Sequence, residues 1–159
     1  MKILVVSDTH GRNEDMLTII KKEQPDLTIH CGDLETDVDI LSQQIDGAFL
    51  AVAGNMDYDP DMDRIKEFNI GKYKAILNHG NRYKVNMSLD GLYYLAVENH
   101  ADFVFFGHTH VPMIRREGPV TFINPGSLTY PRQLGRECTY IIMNINDKDE
   151  PDIELKTWS

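Results

Sequence analysis

Short apolar runs, each followed at once by a small polar cluster, constrain this chain more than any other feature of its sequence. Ile3 to Val6 is continuously apolar, as in a strand covered on both faces, and gives way to Ser7-Asp8-Thr9-His10-Gly11. Leu27 to His30 reads as a second strand ending at Cys31-Gly32-Asp33, and Ala48 to Ala53 as a third ending at Gly54-Asn55. Helical patterns lie between them. Glu14 and Asp15 place acids in the first turn of a helix carrying Met16, Ile19 and Ile20, and Val38, Leu41 and Ile45 repeat at helical spacing. Strand–helix–strand alternation implies parallel strands joined by crossover helices.

The second half changes character. Ile65 to Ile70 and Tyr73 to Leu77 flank Gly71-Lys72 as a hairpin, and Ser88 is positioned to cap a helix with Leu89, Leu92, Tyr93, Ala96 and Val97 on one stripe. Phe103 to Phe106 reads as a strand followed by Gly107. Met113 to Arg116 and Val120 to Ile123 form another hairpin, and Thr139 to Ile145 and Ile153 to Trp158 two more strands. So many strands in one chain predict an α/β fold of two sheets packed face to face with helices outside. No repeat, low-complexity tract or long linker divides the 159 residues, so a single domain over 1–159 is expected, without room for a cap domain.

The polar clusters sit where α/β sheets bind ligands, just past the carboxyl ends of strands. Asp8 and His10 follow the first strand, Asp33 the second, Asn55 the third, His79 the hairpin strand, and His108 and His110 the Phe103–Phe106 strand. Taken singly, each has an ordinary reading: Asp-x-His is a weak motif, Gly-Asp and Gly-Asn are common turn chemistry, and His-Gly can terminate an element. Their joint occurrence at successive strand ends is not ordinary. Carboxylate, imidazole and amide donors without thiolate suit Mn²⁺, Fe²⁺, Zn²⁺, Co²⁺ or Ni²⁺. Seven ligands exceed one tetrahedral ion; with a bridging carboxylate they fill two sites about 3.5–4 Å apart.

Other positions carry weaker signals. His30, inside a strand, reads as packed and hydrogen-bonded, and His100 as the end of a helix. Arg12 and Arg132 are close enough in sequence to the clusters to reach a phosphate oxygen, and both also read as solvated side chains. Cys31 and Cys138 form no CxxC pair, which points to a reducing, cytoplasmic setting. The amino-terminal apolar run is too short to cross a membrane. A net charge of −9 argues against a duplex nucleic-acid partner, whose footprint would be a basic face, but not against small anionic substrates at a metal centre.

Ser7-Asp8-Thr9-His10-Gly11, Cys31-Gly32-Asp33, Gly54-Asn55-Met56-Asp57, Asn78-His79-Gly80 and Gly107-His108-Thr109-His110, with the later Asn124-Pro125-Gly126-Ser127, together resemble the calcineurin-like metallophosphoesterase superfamily. The small single-domain phosphodiesterases of bacteria and archaea are the most similar branch, and the likeness runs from Lys2 to about Ile145. The resemblance implies two mixed sheets flanked by helices around two divalent ions, with Mn²⁺ the first choice. It assigns Asp8, His10, Asp33 and His110 to one ion. Asp33 would bridge to a second ion held by Asn55, His79 and His108, with a bridging hydroxide as nucleophile on a small phosphodiester. His108 and His110 would each stay neutral as ligands, fixed by an outer acceptor that the sequence does not identify.

One position departs from the pattern. Most of the superfamily carries a histidine after Gly-Asn that is thought to protonate the leaving group; here it is Met56, which has no titratable proton. Asp57 is then the candidate catalytic residue of that turn, and equally a turn residue bonded to nearby backbone. The superfamily also includes the retromer subunit, which works through protein contacts, so a scaffold is the competing reading. A scaffold is free to lose ligands, and all seven positions are filled here. Specificity is expected from short loops around Tyr58 to Asp63, and homo-oligomerisation is left open.

Overall fold

The computed structural model describes residues 1–159. In chain order the elements are β1 (Lys2–Val6), α1 (Glu14–Glu23), β2 (Leu27–His30), α2 (Val38–Ser42), β3 (Ala48–Ala51), β4 (Ile65–Ile70) and β5 (Tyr73–Asn78). A 3-10 turn at Asn81–Tyr83 leads to α3 (Asp90–Glu98), β6 (Phe103–Phe105), β7 (Met113–Glu117), β8 (Val120–Asn124), β9 (Cys138–Ile145) and β10 (Pro151–Trp158). They build two five-stranded mixed sheets, ordered β10-β9-β1-β2-β3 and β4-β5-β6-β8-β7. In the first, β1, β2 and β3 run parallel; in the second, β5, β6 and β8 do. Antiparallel strands occupy the remaining positions, through the β9–β10 pair and the two hairpins.

Alternation along the strands explains the sandwich. Ile3, Val5, Leu27 and Ile29 enter the same core as Ala75, Leu77, Phe103, Phe105 and Ile123 from the other sheet. Their neighbours Leu4 and Val6 pack instead on Met16, Ile19 and Ile20 of α1, while Ile76, Val104 and Phe122 pack on Leu92 and Ala96 of α3. Period-two side chains on strands buried on both faces require continuous apolar runs, which is how the sequence reads. No helix is long and apolar enough to cross a membrane.

Four local expectations need correction. Ser88 does not cap α3: Leu89 occupies that position, and the Ser88 hydroxyl accepts only a long 3.4 Å bond from the Asp90 amide. The preceding chain turns tightly enough for the Ser88 amide to bond the Lys84 carbonyl, which delays the helix. Val97 is also exposed rather than part of the buried stripe. The helix through Val38 closes after Ser42, before Ile45, and its start is capped by the Asp37 carboxylate accepting from the Ile40 amide. β3 stops at Ala51, opposite the last residue of β2, and Val52 and Ala53 continue as buried coil to Gly54.

Candidate metal centre

The parallel strands of both sheets end at one edge, and hydrogen bonds sew the two sets of ends together. From the second sheet, His79 Nδ1 donates to the Cys31 carbonyl at 2.8 Å, and the His108 amide donates to Asp8 Oδ2 at 3.1 Å. The Ser127 hydroxyl donates to the Asp8 carbonyl and the Thr129 hydroxyl to the Thr9 carbonyl. Asn124 donates to the Gly107 carbonyl, so the Asn124–Ser127 loop braces the first and last polar clusters.

The crossing is close. A Cβ on Gly54 would collide with the Asp33 carboxylate, and one on Gly107 with the Ser7 hydroxyl and Asp8 carboxylate. Only glycine permits these approaches. Asp8, His10, Asp33, His108 and His110 all have left-handed backbone, with φ between 48° and 70°. That conformation is uncommon outside glycine and costs roughly 1–2 kcal/mol per residue, so surrounding contacts hold five candidate ligands in strained positions.

Two ligating groups emerge, Asp8–His10–His110 and Asp8–Asp33–His79, each with its donor atoms within 4.8 Å of one another. Asp8 belongs to both. Asp33 Oδ2 stands 3.2 Å from His79 Nε2 and 3.9 Å from His10 Nε2, so it too lies between the groups. His108 Nδ1 lies 3.3 Å from His79 Nε2 and 3.1 Å from Asn55 Oδ1, which brings those two residues to the second group.

The outer atoms of the imidazoles test whether a cation fits. His10 Nδ1 is 2.7 Å from the Glu35 carboxylate and His110 Nδ1 is 2.7 Å from the Tyr130 carbonyl. Those acceptors, like the Cys31 carbonyl at His79, require the outer nitrogen to carry the proton, so a neutral ring turns a bare Nε2 inward. His10 Nε2 and His110 Nε2 then face each other at 3.3 Å, two lone pairs that a cation would reconcile. Asp8 Oδ1 is fully buried without a hydrogen bond, with three imidazole Nε2 atoms 3.2–3.9 Å away. A buried carboxylate oxygen is costly to leave unmatched. The residues fit a metal.

Electrostatics agree. Burial opposes ionisation of Asp8, yet His110, His79 and Ser7 hold its carboxyl below the ordinary range; Asp33 is likewise lowered against its own burial, chiefly by His79. Burial also opposes charging of His79, but Asp33 and Asp8 outweigh it and raise its pKa. Without an ion, the carboxylates draw a proton to the place a cation would take, so metal binding should displace protons. His108 is shifted down, first by burial and then by His79.

The remaining candidates fall elsewhere. His30 is fully buried, its Nδ1 accepting from the Gly32 amide and its Nε2 donating to the Thr9 hydroxyl, as the packing reading expects. Asp57 accepts from the amides of Leu34, Glu35 and Gly54, the geometry of a residue fastening the Gly54–Asp57 turn to the Asp33 loop. Met56 is exposed, its amide bonded to Asp33 Oδ1 at 2.8 Å. Residues of the Tyr58–Asp63 loop, with Glu35 and Met56, border a cleft of about 420 Å³. Sequence reasoning missed Glu35, whose only signal is an acid two residues after Asp33, and the Cys31 and Tyr130 carbonyls, which give no signal because every residue has one.

An α/β sandwich that gathers imidazole nitrogens around buried carboxylates at its strand ends is, as a class, a fold built to ligate metal. The calcineurin-like phosphoesterase superfamily domain matches residues 1–148, and the chain belongs to that superfamily. It is 33% identical over 149 residues to a protein of Bacillus subtilis named "Probable metallophosphoesterase YsnB", covering 92% of this chain and 86% of the relative. A solved structure from Streptococcus pneumoniae, described as a predicted phosphoesterase, matches 98% of this chain and 88% of its own, with TM-score 0.87 and 31% identity. The zinc complex of Vps29 from Entamoeba histolytica shares the fold over 99% of both chains, with TM-score 0.77 and 20% identity.

Proposed function

We propose that this protein is a metal-dependent phosphodiesterase with a dinuclear centre. Asp8, His10, Asp33 and His110 would hold one ion, and Asp33, Asn55, His79 and His108 the other. The single observation that carries the reading is the orientation of His10, His79 and His110: each commits its outer nitrogen to an acceptor and turns Nε2 toward the Asp8 and Asp33 carboxylates. When bound, divalent ions would supply Lewis acidity and would lower the pKa of a coordinated water. The chain's own residues keep the ligands deprotonated and aimed, and the open Asn55–Tyr58 and Tyr130 edges admit a small phosphodiester. Mn²⁺ is the proposed ion, as the family resemblance implies, and the mixed carboxylate and imidazole donors also suit Fe²⁺, Zn²⁺, Co²⁺ and Ni²⁺. Both cysteines are unpaired, which supports a cytoplasmic setting.

The Vps29 likeness keeps a scaffold as the rival, and one experiment separates them. Protein reconstituted with Mn²⁺ is subjected to elemental analysis and then assayed on aryl phosphodiesters and phosphomonoesters. About two ions per chain with diester cleavage supports the enzyme. A stoichiometry near zero, or full loading without hydrolysis, favours the scaffold.

A further inference from the structure

The two flanks of the candidate centre carry opposite charge. On the Met56 side, the cleft lined by Met56, Tyr58 and Met62 also presents Glu35, Asp37, Asp57 and Asp59 and no cation. Across the His10 ring, which bonds Glu35, a second cleft of about 420 Å³ is lined by Thr129, Tyr130, Pro131, Arg132 and Arg136 and no acid. This second cleft adjoins the metal ligands. The Tyr130 ring lies 5.5 Å from the His10 ring, its carbonyl holds His110, and the Arg132 amide donates to the His110 carbonyl. The Arg12 guanidinium stands over the Tyr130 ring at 5.5 Å, a third cation at the same edge.

None of these three guanidinium groups has an ion pair or a side-chain hydrogen bond; Arg115 and Arg116, on β7, do, and Arg64 donates to the Gly54 carbonyl beside Asn55. In a chain with 25 acidic against 16 basic residues, acidic partners are plentiful. Two arginines with unpaired guanidiniums line this cleft and a third stands on its Tyr130 wall, forked donors available to an anion beside the candidate centre. We propose that the Tyr130–Arg136 cleft is an anion subsite, and that the substrate is a phosphodiester bearing a second phosphate on one arm. That phosphate sits between Arg132 and Arg136 with Arg12 at its edge, and the uncharged arm lies in the cleft beside Met56 and Tyr58. The inference rests on the phosphodiesterase reading for the bond that is cut, but not for the anion that is bound.

The test compares a dinucleotide carrying a 5′-terminal phosphate with the same dinucleotide lacking it, alongside bis(p-nitrophenyl) phosphate. Wild-type protein loaded with Mn²⁺ should favour the phosphorylated form by about ten-fold or more in kcat/KM. Arg132→Ala/Arg136→Ala should bring that ratio to about one, and Arg132→Lys/Arg136→Lys should restore part of it. Cleavage of bis(p-nitrophenyl) phosphate with a wild-type ratio near one, or a ratio the alanine variant leaves unmoved, overturns the subsite while the phosphodiesterase stands. If none of the three compounds is cleaved, the phosphodiesterase reading fails and calorimetry with the same dinucleotide pair decides the subsite. Tighter binding of the phosphorylated form, lost in the alanine variant, supports it; equal affinities overturn it.

Discussion

Around His10, His79 and His110 the outward ring nitrogens already have acceptors, whereas the His108 side chain meets only Asn55 and His79, through its inward nitrogen. Asp8, His79 and His110 are buried, while His108 is half-buried and Asn55 exposed. The first group is fixed by the fold before anything binds. The second is a pair of more exposed side chains on loop tips. Preorganised ligands favour tight, geometry-selective binding, and loose ones favour exchange. One ion should therefore be held by the scaffold and the other released more readily.

The largest effect comes from the carboxylate between the groups. Asp33→Asn removes charge from both at once and should lower diesterase activity by more than about a thousand-fold, with both ions weakened. His30→Asn, equally close in sequence, should leave activity within a few-fold and act on stability, because its bonds go to the Thr9 hydroxyl and the Gly32 amide. Steady-state rates and ion stoichiometry on equally folded variants check both. Similar losses would show that the ligands around Gly32 are wrongly assigned.

Next come the outer partners. Glu35→Gln replaces the carboxylate on His10 by an amide able to present the wrong atom, and should weaken one ion by about 10–100-fold. His108→Ala removes a ligand from the looser half, so titration with Mn²⁺ should find one ion retained at wild-type affinity and the other lost. Loss of both ions together would erase the distinction between the halves.

A third test uses pH on the metal-free protein. Burial holds His30 down to about 4, below its ordinary 6.5, so between pH 6.5 and 4.5 the unfolded chain takes up a proton that the folded chain refuses. Stability should fall as pH falls, by on the order of 3 kcal/mol once pH reaches His30's folded value. His108 is shifted the same way. The stabilisation from His79, whose pKa is raised, is complete below 6.5 and disappears only as pH rises through its folded value. Asp8 and Asp33, lowered, contribute stability above 3.8 that disappears only below it, and Glu23, held near 2, enters below 4.5. The slope in this window therefore belongs to the two lowered histidines. Urea unfolding at pH 6.5, 5.5 and 4.5 measures it, and His30→Asn should remove most of it. An unchanged slope in the variant would assign the titration elsewhere.

The same contrast runs through what the sequence could reveal. β1, β2, β5 and β6 announce themselves because strands buried on both faces have no freedom to be polar, and the candidate ligands follow because they end those strands. The start of α3, with Leu89 rather than Ser88 at its cap, has no such signal, because a turn held by the Lys84 carbonyl is invisible in composition. What orients the imidazoles was unreadable for a related reason: two of the three acceptors are backbone carbonyls. The left-handed conformations of Asp8, His10, Asp33, His108 and His110 also leave no mark, since they are imposed by crossing loops. The opposed charges of the two flanks emerge only when Glu35 meets Met56, and Tyr130 meets Arg136, in space.

The smallest effect concerns the turn at the looser edge. Met56 is 38% exposed beside Asn55, and both oxygens of Asp57 are engaged by backbone amides. No side chain of that turn is placed to hand a proton to a departing alkoxide. General acid catalysis contributes about 10²–10⁴-fold where the leaving group is poor and little where it is good. Rates for a series of aryl phosphodiesters should therefore depend steeply on leaving-group pKa, with alkyl diesters slow. Met56→His places an imidazole on an exposed position, so it should flatten the slope modestly while barely changing the nitrophenyl rate. The wild-type slope decides the matter. If it is already shallow, a proton reaches the leaving oxygen by another route, and the open edge around Asn55 is as catalytically complete as the buried half.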